Sequence, residues 1–205
     1  MAVPRGETRA SKREGTREKI RAAAWELFST VGYEETTTHA IAKRAGVAAG
    51  TVFLHASDKS DLLFLVMHDR LSDCVEERFA TMPKDASVLD RLMHVFAGLF
   101  RMYAQTPGVA AAFVKSLPGA TGPNAQRMTT MTFGFMHRLS LLLAEGQAKG
   151  ELAKDFEPIA AAQNVFALYF MALLGWIAGH ATLEAALDPQ LRDAIALQIR
   201  GLRAR

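Results

Sequence analysis

The 205-residue chain has one cysteine, Cys74, and only seven prolines. A single thiol cannot form an internal disulfide, so stability must come from packing, and a reducing, cytoplasmic setting is expected. No motif places a base beside Cys74, which reads as a small core residue. No segment alternates cleanly between apolar and polar side chains, so no strand is expected. The N-terminus is basic and polar and lacks an apolar h-region, so no secretory signal is expected. The six histidines (His39, His55, His68, His94, His137 and His180) are scattered without metal-ligand spacing. Neither a Gly-rich phosphate loop nor a nucleophile elbow occurs. No metal, cofactor or enzymatic chemistry is therefore expected.

What is present is apolar surface at helical spacing. Half of the residues are hydrophobic, enough for a substantial core and too many for wholesale disorder. The reading is all-α. The net charge is only +3, yet residues 1–21 hold seven basic against three acidic side chains. The positive excess thus lies in the first tenth of the chain, as suits a basic arm leading into a nucleic-acid-binding head. For residues 1–13 a solvated tail is the competing reading.

A first helix is expected from about Thr16 to Val31, where Ile20, Ala24, Leu27, Phe28 and Val31 form one apolar stripe and Gly32 ends it. Helix two runs from about Thr38 to Ala45 and helix three from Ala49 to His55. Ser57 or Asp58 caps a long fourth helix that ends before Pro83. Further helices are expected over 85–105, 107–117, 125–149 and 158–183, with Pro118–Asn124 a loop. Asp188 is expected to cap a last helix. The division is residues 1–56 as head and 57–205 as a six-helix body.

The stretch Thr38–Ala56, THAIAKRAGVAAGTVFLHA, carries the most information. Ala42 is small where two helices cross closely, and Gly46 stands four residues later, where the chain must turn with φ > 0. Val52 follows six residues on, while Ile41, Ala45 and Val47 supply the remaining apolar lock. This is the spacing of a DNA-binding helix-turn-helix; the alternative is an ordinary αα-hairpin.

From Thr16 to Leu63, with AAAWELFSTVGYEETTTHAIAKRAGVAAGTVFLHASDKSDLL at its centre, the chain resembles the TetR family of bacterial transcriptional regulators. The body resembles that family only in helix count and order. The resemblance implies a homodimer with a three-helix DNA-binding head and a helical ligand-binding body, usually a repressor released by a small-molecule effector. It implies double-stranded DNA as partner, with two recognition helices in successive major grooves of a near-palindromic site.

Thr37 or Thr38 offers a hydroxyl and helix N-terminal N–H groups to a phosphate. Lys43 or Arg44 can reach the backbone as charges. Ala49, Gly50, Thr51 and Leu54 resemble base-edge positions, with Thr51 and Leu54 suited to a thymine methyl. Phe53 and His55 resemble phosphate-facing aromatic positions, and Lys59 a backbone-gripping lysine. Four positions depart from the family pattern, among them Ala56, where the family often has Phe. Ala48 lacks the hydroxyl that would cap helix three, a loss of about 1 kcal/mol. Ala49 lacks a charge and Phe53 lacks a phenol. Such a helix implies readout by apolar contact and DNA shape, and leaves open a ligand-binding protein whose head no longer reads sequence.

In the body, Phe96, Phe100, Met102, Tyr103, Phe113, Met128, Met131, Phe135, Phe166, Phe170 and Trp176 are expected to line an adaptable apolar pocket. Plain core is the competing reading for each. The ligand-binding set is Phe96, Phe100, Tyr103, Phe113, Met131, Phe135, Phe166 and Phe170, with Gln126, His137, Gln163 and Asn164 as candidate polar contacts. Residues 159–179 carry no charge and contain Gly175 and Gly179 in a GxxxG spacing. That passes a crude transmembrane test, although Gln163, Asn164 and Pro158 oppose it. A helix lying between its own core and a twin subunit looks the same. The expectation is no membrane and a dimer through the last two helices, with Leu187, Leu191, Ile195, Ile199 and Leu202 as the second stripe.

Overall fold

The computed structural model describes residues 9–203, all of whose long elements are helices. Of the basic segment 1–21, residues 1–8 lie outside these and residues 9–21 are the first part of α1. The head comprises α1 (Arg9–Thr30), α2 (Thr38–Ala45) and α3 (Ala49–Val52). Helix α1 begins before the apolar stripe does, its polar turns tied by Arg17–Glu14 at 3.3 Å and Arg21–Glu18 at 2.6 Å. Such pairs add only a few tenths of a kcal/mol each. Ile20, Ala24 and Phe28 point into the core as the stripe predicts. Val31 does not: α1 ends one residue earlier, the chain swings away at Gly32 (φ 104), and Val31 is left exposed.

Helix α4 (Lys59–Ala80) rises from the head, its first turn capped by Asp58, whose side chain accepts from the Asp61 amide at 2.8 Å. The body continues with α5 (Val88–Ala104), α6 (Pro107–Ser116), α7 (Pro123–Ala148) and α8 (Pro158–Ile177). Prolines at the first helical positions of α6, α7 and α8 lack an N–H that would have had no partner there. The last element departs from expectation. It is a short α9 (Leu183–Ala185), a wider-wound stretch Ala186–Leu191 and α10 (Arg192–Gly201). Thr182 caps α9, whereas Asp188 is extended (φ −141, ψ 118) inside the bend and begins no helix.

That bend turns the supposed dimer stripe inward. Leu191, Ile195 and Ile199 are buried, and the helix packs on α5 and α8 of its own chain. Leu197 is the large apolar side chain that α10 leaves exposed. Helix α8 buries Ala161, Ala162, Val165, Tyr169 and Leu173 and exposes Ile159, Gln163, Ala167 and Met171 along another face. By length and composition alone it could cross a membrane.

The body is joined to the head by more than a linker. The carboxylate of Asp61, fully buried in the first turn of α4, accepts from the Asn124 amide at 2.9 Å and the Ala125 amide at 3.0 Å. Those N–H groups belong to the first turn of α7, whose own cap residue is Gly122, a residue without a side chain. Asp61 therefore caps α7 from another helix, where negative charge also suits the helix dipole. It accepts as well from the Ser57 amide (3.1 Å) and the Asn124 side chain (3.0 Å), which also donates to the His55 carbonyl at 2.9 Å. Gly122 must be glycine twice over: φ is 109, and a Cβ there would sit 2.6 Å from the Asp61 carboxyl. Farther along α4, the Arg70 guanidinium lies 3.7 Å from the Trp25 ring centroid of α1.

Candidate nucleic-acid interface and ligand cavity

Two buried side chains of α2, Ile41 and Ala42, and Val52 of α3 lock the helix pair. Gly46 makes the turn between them in the left-handed region (φ 68, ψ 36), and the Val47 amide donates to the Ala42 carbonyl at 3.0 Å. The Thr37 hydroxyl accepts from the Ala40 amide at 3.1 Å and so caps α2, keeping its own proton for another acceptor. Ala48 provides no side-chain cap, and α3 is correspondingly short. Beyond Val52 the chain continues in tight turns, with the Leu54 amide donating to Thr51 and the His55 amide to Val52.

On the outer side stand Ala49, Gly50, Phe53 and Leu54, with Leu54 71% exposed. Thr51 and His55 are half-buried beside them, and Thr38 lies at the start of α2. Lys43 is exposed and has no acidic partner among the described residues. Two other cations are engaged within the protein. Arg44 holds Glu26 of α1 through both carboxylate oxygens, at 2.9 and 2.7 Å. Lys59 donates to the Tyr33 and Glu34 carbonyls (3.0 and 3.1 Å) and lies 4.5 Å from the Tyr33 ring centroid. The structure thus brings Arg44 and Lys59 into braces of the head. Burial, and after it the charges of Arg13 and Arg17, lower the pKa of His55 and favour neutral imidazole.

Inside the body, α4 to α8 enclose an apolar cavity of about 70 Å³. Of the residues expected there, Tyr103, Phe113, Met128, Met131, Phe135, Phe166 and Phe170 line it. Phe96, Phe100, Met102 and Trp176 do not. Phe96 is stacked on Tyr169 at 4.8 Å, while Phe100 packs on Tyr169 and Trp176, so these rings form the wall behind the lining. Gln126, His137, Gln163 and Asn164 are all exposed and face no cavity. Helical periodicity marks a buried face but cannot separate side chains at a void from those one layer deeper.

The lining also includes Leu71 and Val75 of α4, Leu99 of α5, Leu117, and Thr132, Tyr169 and Leu173. Aliphatic residues on a core face carry no signal of their own that marks them as cavity lining, and neither does a single Thr or Tyr on such a face. No charged side chain reaches the cavity. Its polar feature is a pair of phenols, Tyr103 and Tyr169, hydrogen-bonded to each other. Burial raises both pKa values far above the usual phenol range, so both stay neutral and add no charge to the cavity.

Comparison with known proteins bears on both sites. Residues 20–66 match the model of bacterial regulatory proteins, tetR family. The fatty acid metabolism regulator protein of Bacillus subtilis is 24% identical over 175 residues, 85% of this chain and 86% of that protein. The regulator HbdR of an Aromatoleum strain is 39% identical over 64 residues, 31% of this chain and 28% of its own length. Among solved structures, FadR of Thermus thermophilus, a transcriptional repressor in complex with lauroyl-CoA, superposes with a TM-score of 0.74 at 26% identity. That match covers 92% of this chain and 96% of the other. FadR of Bacillus subtilis in complex with stearoyl-CoA superposes with a TM-score of 0.70 at 23% identity, covering 91% and 99%. These relatives are transcriptional regulators rather than enzymes. Residues 20–66 thus match the DNA-binding head of the tetR family, and the chain as a whole is similar to transcriptional regulators of that family.

Proposed function

We propose that this regulator is a repressor whose effector carries a long apolar acyl chain, in the form of an acyl-CoA thioester. The carrying observation is the uncharged, aromatic- and methionine-lined cavity among α4 to α8, with its neutral tyrosine pair. The Thermus relative is in complex with lauroyl-CoA, a thioester of this chemistry. At about 70 Å³ the cavity is far below the roughly 300–1,000 Å³ of occupied ligand sites. An entering chain must therefore push the walls apart, and Met128 and Met131 are the side chains best able to give way. Both sit on α7, whose first turn Asp61 fastens to α4. Parting of α7 from α4 would load that joint and change the attitude of the head. A ligand acts in this way only if it binds one arrangement better than the other.

On the DNA side, the proposed contacts are Thr37, Thr38, Lys43, Ala49, Gly50, Thr51, Phe53, Leu54 and His55. Arg44 and Lys59 serve mainly as braces. With few donors on the recognition helix, apolar contact with thymine methyls and DNA shape supply the specificity. The molecule works as a cytoplasmic homodimer. Its interface is the exposed α8 face of Ile159, Gln163, Ala167 and Met171 together with Leu197 of α10, in place of the inward-facing Leu191–Ile199 stripe.

The test is selection of bound duplexes from a random pool, followed by titration of the complex with lauroyl-CoA. Enrichment of an inverted repeat that lauroyl-CoA releases supports the reading. A retained complex at saturating lauroyl-CoA refutes the effector. Binding that never enriches a sequence and only weakens with salt favours a head that does not read bases.

A further inference from the structure

Beside the recognition segment lies a cleft of about 550 Å³ whose walls come from both halves of the chain. The start of α1 supplies Arg13 and Arg17, the end of the recognition segment Leu54 and His55, and the start of α7 Asn124 and Arg127. Three guanidinium groups thus surround one opening, against a single carboxylate, Glu14, which Arg17 already answers at 3.3 Å. Arg13 and Arg127 have no acidic partner among the described residues, and Arg127 is exposed. Leu54 at the rim is the most exposed large apolar side chain in the head, so the opening adjoins the surface that meets base edges. The residues flanking base edges in a duplex are phosphates, one negative charge about every 1.7 Å of axis.

We propose that this cleft seats a backbone phosphate of duplex DNA, so that Arg127, a residue of the body, grips the same DNA that the recognition helix reads. Guanidinium forks from α1 and α7 approach the oxyanion from two sides, the geometry in which arginine binds phosphate best. The register is set by Asn124, held one turn before Arg127 by the Asp61 carboxylate and the His55 carbonyl. Arg127 also precedes Met128 of the ligand cavity, so a shift of α7 would carry the guanidinium off its phosphate. That last consequence rests on the effector reading, whereas the seat rests on DNA binding alone.

The experiment measures binding of the full chain to a labelled random-sequence duplex across roughly 50–200 mM salt, for wild type, Arg127→Ala, Arg127→Lys and Arg200→Ala. Arg200 lies on α10, which packs on α5 and α8. Arg127→Ala is expected to lower the slope of log K against log salt by about 0.9 per protomer, the loss of one phosphate contact. Arg127→Lys should recover most of it, and Arg200→Ala should leave it unchanged. An unaltered slope in Arg127→Ala, or an equal fall in Arg200→Ala, overturns the proposal. So does thermal stabilisation of wild type alone by inorganic phosphate at constant ionic strength with no change in DNA slope, which assigns the cleft to a free anion. A wild-type chain that binds no duplex at all sinks the DNA reading itself, an outcome distinct from failure of the variant alone. Because Arg127 is exposed, equal melting temperatures confirm that every variant is folded.

Discussion

Asp61→Asn replaces one carboxylate oxygen by an NH2 group with no change of shape. In the native chain, one oxygen accepts from the Asn124 and Ala125 amides, and the other from the Ser57 amide and the Asn124 side chain. Asparagine can turn its oxygen to only one of these pairs. Its NH2 then faces two donors, so two buried N–H groups lose their acceptor wherever the amide points. A buried donor left unpaired costs about 1–3 kcal/mol, which for two donors is roughly 2–6 kcal/mol in all. That is a large share of the 5–15 kcal/mol that holds a typical domain together. For a chain of this length, at about 2–4 °C per kcal/mol, the melting temperature should fall by roughly 4–24 °C. Thermal unfolding followed by circular dichroism reads this directly. Removing Asn124 as well should cost less in the Asp61→Asn background than in wild type, because the partners are already parted. A melting temperature within about 2 °C of wild type would show that the joint does not hold α7 to α4.

Ala48→Ser should stabilise the chain by about 1 kcal/mol, since the extended backbone at Ala48 (φ −65, ψ 146) suits a cap. Urea unfolding measures it, and a midpoint at or below the wild-type value contradicts the capping argument. Met131→Trp should fill the cavity and block release by lauroyl-CoA while sparing DNA affinity, as mobility shift assays with and without the thioester would show. Arg91 of α5 and Lys149, through hydrogen bonds, lower the pKa of Glu145 in α7 to about 2. Its contribution is complete above the unfolded carboxylate range near 4.5 and is lost as pH falls toward 2. Since Glu145 is 43% exposed, the effect is discounted to under about 1 kcal/mol. Stability profiles of wild type and Glu145→Gln should therefore converge as pH falls from about 4.5 to 2, and parallel profiles would exclude the pairing.

The head was legible from Thr38 to Ala56 because its constraints are local. A turn with positive φ requires glycine at 46, and a close crossing requires a small residue at 42. The order of the body's helices followed from the same kind of signal, since prolines at 107 and 158 stand where helices begin, whereas Pro123, read as part of a loop, opens α7. Val31 and Asp188 were misplaced because helix ends depend on where the neighbouring chain turns. The bend at Asp188 rotated a whole apolar stripe from a supposed partner into the core.

Linear pattern reports which face of a helix is apolar, and that sufficed for an all-α chain with a helix-turn-helix head. For Arg44 and Lys59 a free cation and a paired one look alike in sequence, and their partners Glu26 and the Tyr33 carbonyl are visible only in three dimensions. The same is true of Asp61, an ordinary first-turn acid whose second helix lies 63 residues away in the chain. Pairing and capping between distant segments are set by distances of about 3 Å, and only folding brings those atoms that close.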